Sequence, residues 1–155
     1  MEKFIESLNA AVKDIRIADH MIYITFPVIK DKRLLLQTMD HIYQSLINTI
    51  NAILQYDYVF KRIQLSKNPK DNFDTFITKC ARRFNITSEE ISDIMNFLTI
   101  VESHKKSPME FIRHEKIVIM SENLSTNIID QEKIKNYLNL TKRILEKARF
   151  VIKTS

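Results

Sequence analysis

The chain contains no glycine, where average usage would place roughly ten among 155 residues. Glycine supplies backbone with positive φ and lets the main chain approach a phosphate closely. Its absence removes the GxGxxG turn, the Walker-type loop and the GxSxG elbow. Glycine-bearing hairpins go with them. Reversals must be built from Asn, Asp, Ser and Pro, which favours long helices with few sharp turns. Cysteine is almost as scarce: Cys80 stands alone, so no internal disulfide can form and thiolate zinc sites are excluded. Long hydrophobic runs are missing too. The longest, Met21–Ile29, holds Thr25 and Pro27 and is about half the length of a membrane-spanning helix. Glu2, Glu6 and Asp14 interrupt the opening turns, so no signal peptide is expected. A cytoplasmic location is the expectation.

What is present reads as a folded chain. Hydrophobic residues make up 45% and charged residues 28%, a globular balance. The length suits one domain over residues 1–155. The formal charge of +5 permits nucleic-acid contact without requiring it. A Lys-, Ile- and Asn-rich composition also arises from AT-rich coding.

Apolar spacing predicts a mainly all-α domain: an up-and-down helical bundle of about five helices, with a small β-hairpin before the last. Phe4, Ile5, Leu8, Val12, Ile15 and Ala18 form a stripe on a first helix over Met1–His20. That helix should stop or kink by Phe26, because Pro27 disfavours the α region for the residue before it. Asp31 is a candidate N-cap for a second helix reaching about Ile63, with Leu35, Met39, Ile42, Leu46, Ile50, Ile53 and Phe60 inward. Asn68-Pro69 opens a third, lined by Phe73, Phe76, Ile77, Cys80, Ala81 and Phe84 and closed by Asn85. Thr87 and Glu90 form a capping box for a fourth, with Ile91, Ile94, Met95, Leu98 and Val101 on one side. Ser107, Pro108 and Glu110 suggest one further helical turn. The period then shortens: Lys116–Ser121 and Asn127–Ile129 predict the two-stranded hairpin, turning at Glu122-Asn123. Asp130 caps a last helix carrying Ile134, Tyr137, Leu138, Thr141, Leu145, Ala148 and Ile152.

Catalytic and metal chemistry find little footing. His20 follows Asp19 and His41 follows Asp40, but neighbours on a helix point about 100° apart and make no dyad. His20, His41 and Glu102 could meet across helices, yet the Glu-x-x-His pattern of bundle metal sites is missing. Cys80 lies within an apolar stripe and is expected to behave as a small hydrophobe. No catalytic residue, metal or cofactor is assigned.

The basic side chains are more suggestive. Lys79, Arg82 and Arg83 share the outer side of the third helix, and Lys105 and Lys106 lead toward Arg113. Lys135, Lys142 and Arg149 recur every seven residues on the last helix, forming one ridge that could track phosphates. These nine are the candidate nucleic-acid contacts. Glu89, Glu90, Asp93, Glu132 and Glu146 dilute the field. Tyr56, Tyr58 and Phe60 precede Lys61 and Arg62, an aromatic-basic run. Tyr56, Phe60 and Ile63 also fit a buried face, and only Tyr58 falls out of phase.

Ala18–Leu36, Tyr58–Ile63 and His104–Asn123 together resemble a family of small archaeal helical proteins of unassigned function. Long helices with a late hairpin also resemble, at fold level, the HEPN superfamily, which includes ribonucleases. Its enzymes carry an arginine, four to six intervening residues and a histidine. Arg16 and His20 have three residues between them and Arg33 and His41 have seven, so that motif is absent as written.

Three readings follow. The first is a non-catalytic RNA- or ribonucleoprotein-binding module using the nine basic residues. The second is a protein-interaction or self-assembly module, a homo-oligomer or adaptor, presenting Tyr23, Phe26 and Val28. The third is a divergent HEPN-like ribonuclease that needs Arg16 or Arg33 to meet His20 or His41.

Overall fold

The protein is described by a computed structural model that covers residues 2–106, 109–113, 116–120 and 126–154. Helix α1, Lys3–His20, buries Phe4, Leu8, Ala11, Ile15 and Ala18, the face set by their spacing of three and four. The expected break before Pro27 takes a different form. The helical path widens into a π-helical segment, Met21–Thr25, and resumes as α2, Phe26–Ile29. Proline has no N–H to donate and crowds the preceding turn, and a widened turn accommodates both. Phe26 keeps helical angles, φ −60° and ψ −44°, and its ring is buried.

The path ends at Lys30, which adopts φ 57° and donates its N–H to the Phe26 carbonyl at 2.8 Å. A left-handed residue carrying a Cβ costs about 1–2 kcal/mol, partly offset because glycine loses more freedom on folding. Lys30→Gly is therefore expected to stabilise the fold by about 0.5–1 kcal/mol and raise the melting midpoint by about 2 °C. Lys32→Gly, at an ordinary φ of −67°, should do the opposite. Equal losses in the two melts would refute this account.

Helix α3, Arg33–Val59, is the spine, with 27 residues and a length of about 40 Å. The N-cap position is Lys32, which makes no side-chain cap bond, one residue later than the expected Asp31. The Asp31 carboxylate accepts the Arg33 N–H at 3.0 Å from the residue before the cap. Its end comes four residues before the expected Ile63. Lys61 takes φ 58°, and the N–H groups of Lys61 and Arg62 donate back to the carbonyls of Tyr58 and Asp57 at 3.0 and 2.9 Å. This is a Schellman closure with lysine where glycine usually stands. Phe60 lies past the helix and is half exposed rather than inward, whereas Tyr56 and Ile63 are buried.

Helices α1 and α3 run antiparallel. Phe4 meets Tyr56 edge-on at 5.4 Å, Ser7 donates to Gln55 at 3.2 Å, the buried Ser45 hydroxyl donates to the Ala11 carbonyl at 2.8 Å, and His41 bonds Asp14 at 3.0 Å. Small residues at Ala11 and Ser45 allow that direct side-chain-to-backbone reach.

Helix α4, Pro69–Thr75, starts at Asn68, whose side chain accepts the Lys70 N–H at 2.9 Å. It continues through a π-helical segment, Phe76–Cys80, and a 3-10 turn, Ala81–Phe84. Asn85 closes it as the sequence predicts, at φ 56°, and the buried Ile86 donates its N–H to the Ala81 carbonyl at 2.9 Å. Helix α5, Ser88–Lys106, begins with the expected capping box. Thr87 Oγ1 accepts the Glu90 N–H at 3.1 Å, and Glu90 Oε1 accepts the Thr87 N–H at 3.0 Å.

Beyond α5 the backbone forms β1, Met109–Arg113, β2, Lys116–Met120, and β3, Thr126–Ile129, an antiparallel sheet in the order β1-β2-β3. It has three strands where two were expected. The helical turn expected near Glu110 is replaced by β1, in which Glu110 pairs with Ile119. Ser107, Pro108 and the turn at Glu122-Asn123 lie outside the described residues. Helix α6, Gln131–Thr154, is capped by Asp130, whose carboxylate accepts the Lys133 N–H at 2.8 Å.

Helices α5 and α6 are also antiparallel. Phe97 stacks on Tyr137 at 4.7 Å, and Glu90 meets Lys147. Helices α3 and α6 bring their C-terminal halves to the same turn: Phe84 lies 6.2 Å from Tyr56, and Lys147 Nζ donates to the Asn85 carbonyl at 2.7 Å. The four long helices thus alternate in direction along the chain, with α3 and α6 parallel neighbours, and they enclose one core in which Phe76, Phe84 and Phe97 are fully buried. Each such side chain contributes about 1.5–3 kcal/mol. Among the described residues no helix is long and apolar enough to cross a membrane.

Candidate nucleic-acid interface

The end of the bundle where α3 finishes and the Phe84–Asn85 turn meets α6 gathers positive charge. Asp57 organises it. This carboxylate lies on the inward side of α3 and is completely buried. It accepts from Arg83 Nη2 and, at 3.5 Å, from Arg62 Nη1. The arginine side chains are 38% and 42% exposed, so the anion is inside and its cations straddle the surface. Cys80 sits beside it, buried. Burial first, then its hydrogen bond to Asp57 and the negative charge there, push the thiol up to about 12. Cys80 is a packed small side chain, as expected, and is no nucleophile at neutral pH.

Three surface hollows adjoin one another at this end. The first, about 850 Å³, is lined by Tyr58, Val59, Lys61, Arg62, Ile63, Gln64, Leu65 and Lys79. Lys79 also lines the second, about 660 Å³, with Arg82, Arg83 and Asn85. Asn85 in turn lines the third, about 630 Å³, with Phe84, Phe150, Lys147, Arg149 and Lys153. Shared walls make the three one band. Eight basic side chains line it, against the single carboxylate of Glu146, in a chain whose overall ratio is 24 to 19. A further hollow on α5 and α6 mixes Asp93 with Lys133 and Arg143.

Of the nine basic residues singled out in the sequence, Lys79, Arg82, Arg83 and Arg149 lie in this band. Lys105 stands elsewhere, its ammonium 4.4 Å from the Tyr43 ring centre. Lys135 and Lys142 converge on Tyr23, at 4.9 and 6.0 Å, and Lys142 is also paired with Asp19. Lys106 ends α5 and Arg113 ends β1. The expected ridge on α6 is thus divided between the two ends of the bundle. Lys61, Arg62, Lys147, Lys153 and Tyr58 belong to the band and were outside the nine. The sequence signal for Tyr58 was its departure from the buried phase.

Glu90 fixes α6 against the turn. Besides its capping box it meets Lys147 and, at 3.5 Å, Arg143. Burial is the largest influence and opposes its charge, but the Lys147 hydrogen bond, the Thr87 N–H and the Lys147 charge together hold its pKa below the ordinary 4.5. A carboxylate lowered on folding contributes stability above its unfolded value and loses it as pH falls through the folded one. Glu90→Gln should therefore be less stable than the parent at pH 7, with the gap closing in melts taken as pH drops below 4.5. A gap constant with pH would refute the ionic role.

The other candidate centres do not assemble. Arg33 turns back onto Asp31 at 2.9 Å, His20 lies 3.2 Å from Thr25, and His41 is held by Asp14. The arginine–histidine meeting that a ribonuclease reading needs is therefore not among these contacts. Among the described residues no three His, Cys, Asp or Glu side chains group to hold a metal ion. Of the three candidate interaction residues, Phe26 belongs to the core, while Tyr23 and Val28 are 42% and 80% exposed, beside exposed Ile24 and Ile29.

Fold and site together define a basic helical bundle with a cationic end. Comparison with protein-family models, with curated proteins and with solved structures finds no match.

Proposed function

We propose that the chain is a non-catalytic nucleic-acid-binding module that holds RNA, alone or within a ribonucleoprotein, by its phosphates. The observation that carries this reading is the band lined by one carboxylate and eight cations, of which Arg62, Arg83 and Lys147 also pair with Asp57 or Glu90 behind it. Cations spread along joined hollows match a linear polyanion and displace its counterions. The test is fluorescence anisotropy with a labelled RNA over a range of salt. Contact with about five phosphates gives a log–log slope of about −3.5 on single strands. Absence of binding at low salt, or affinity that ignores salt, would remove the proposal.

A second reading is self-association through the α2 end, favoured by the adjacent exposure of Ile24, Val28 and Ile29. Light scattering separates the two. A dimer that Val28→Asp dissociates without altering RNA binding supports association at that end, and a monomer at every concentration dismisses it.

A further inference from the structure

The hollow beside the end of α3 carries an exposed aromatic ring among its cations, as the hollow beside α6 does with Phe150, but unlike that one it has no carboxylate in its wall. Tyr56 and Asp57 face inward and are buried, so Tyr58 must point out, and it is 53% exposed. The left-handed Lys61 then reverses the chain, so that Tyr58, Lys61, Arg62 and Gln64 line one concavity with Lys79 from the following helical segment. No carboxylate lines it. Phe60 is not part of the wall: its ring lies 4.7 Å from Tyr56 and under the Arg62 guanidinium at 5.3 Å. Phe60 and Arg62 thus pack on each other, while Tyr58 lines the hollow and is exposed. The concavity, about 850 Å³, falls within the usual range for ligand hollows, about 300–1,000 Å³.

We infer that this hollow takes an unpaired base of single-stranded RNA, stacked on Tyr58, with its phosphates on Lys61 and Lys79. The inference rests on the RNA reading above and narrows it to a strand type and a subsite. An aromatic face can only be used by a base released from its own stack, which a single strand offers and a duplex withholds. Two lysines from separate segments meet the phosphate charge. Gln64 supplies a donor and an acceptor for a base edge. A duplex would meet only the cations of the band and would gain nothing from the ring.

The experiment compares the parent, Tyr58→Ala and Tyr58→Phe by anisotropy on a labelled oligouridylate and on an RNA duplex of equal length, at fixed low salt. Thermal melts check folding, and Tyr58→Phe retains the ring should Tyr58→Ala unfold. The parent is expected to prefer the single strand. Tyr58→Ala should lower single-strand affinity about tenfold, leave duplex affinity within about twofold and keep the salt slope, while Tyr58→Phe stays close to the parent. Equal affinity of the parent for both strand types, or an unchanged single-strand affinity in Tyr58→Ala, overturns the subsite and leaves the phosphate band standing. Should Tyr58→Ala unfold, loss of the single-strand preference in Tyr58→Leu would support the ring's role, and its retention would overturn it. Failure of the parent to bind either RNA overturns both.

Discussion

Replacing Arg83 with methionine should destabilise the fold by about 3 kcal/mol, more than any other change at the cationic end. The reason is the asymmetry of burial across the pair. Asp57 is wholly inside, while Arg83 and Arg62 are each partly in water. Removing the arginine leaves a carboxylate that water cannot reach. Arg62, at 3.5 Å, stands at the limit of a hydrogen bond and replaces little of what is lost. Removing the carboxylate instead leaves guanidiniums that can rehydrate, so Asp57→Asn should cost less, about 1–2 kcal/mol. The double variant is expected to recover about 1 kcal/mol relative to Arg83→Met alone, because the stranded charge has gone. Urea melts of the four proteins measure the cycle. Additive losses would mean that the two side chains act independently, and the buried pair would cease to explain this corner.

The largest effect on binding should come from Lys79→Glu with Arg82→Glu. Both side chains are exposed, and Lys79 lines two of the three hollows. Two reversals remove two phosphate contacts and add two repulsions. Affinity for RNA is expected to fall about a hundredfold or more, with the salt slope shallower by about 1.4 on single strands. The melting curve should shift by no more than about 0.5 kcal/mol. Lys105→Glu with Lys135→Glu is the matched control, since those cations lie over Tyr43 and Tyr23 away from the band. If both pairs weaken RNA equally, net charge rather than the band governs binding.

Much of the bundle was legible in the sequence because its signals are local. Asn68-Pro69, Asn85, the Thr87–Glu90 box and Asp130 each act within a few residues of themselves, and each lies where spacing put it. The inward faces of α1 and α3 followed from their period, except at Phe60, where the helix had already ended. Other elements depended on distant partners. The unexpected strand, β1, pairs with β2. Lys30 and Lys61 occupy turns that are ordinarily recognised by glycine, so no residue type announced them. Asp57 did leave a trace: it falls four residues after Ile53 and seven after Ile50, on the apolar side. A carboxylate in that phase implies a partner, but Arg83 is 26 residues away and only the fold reveals it. The basic ridge on α6 was inferred from one helix, and neighbouring helices divided it.

The turns at Lys30, Lys61 and Asn85 also bear on the chain before it folds. A residue with a Cβ explores fewer backbone states in the denatured ensemble than glycine does, a difference worth about 0.4–1 kcal/mol at each position. Spread over the roughly ten glycines an average chain of this length would carry, the denatured ensemble is narrower by several kcal/mol. Strain at the three described left-handed positions is thus outweighed by a stiffer disordered chain, and the domain turns its corners without a single glycine.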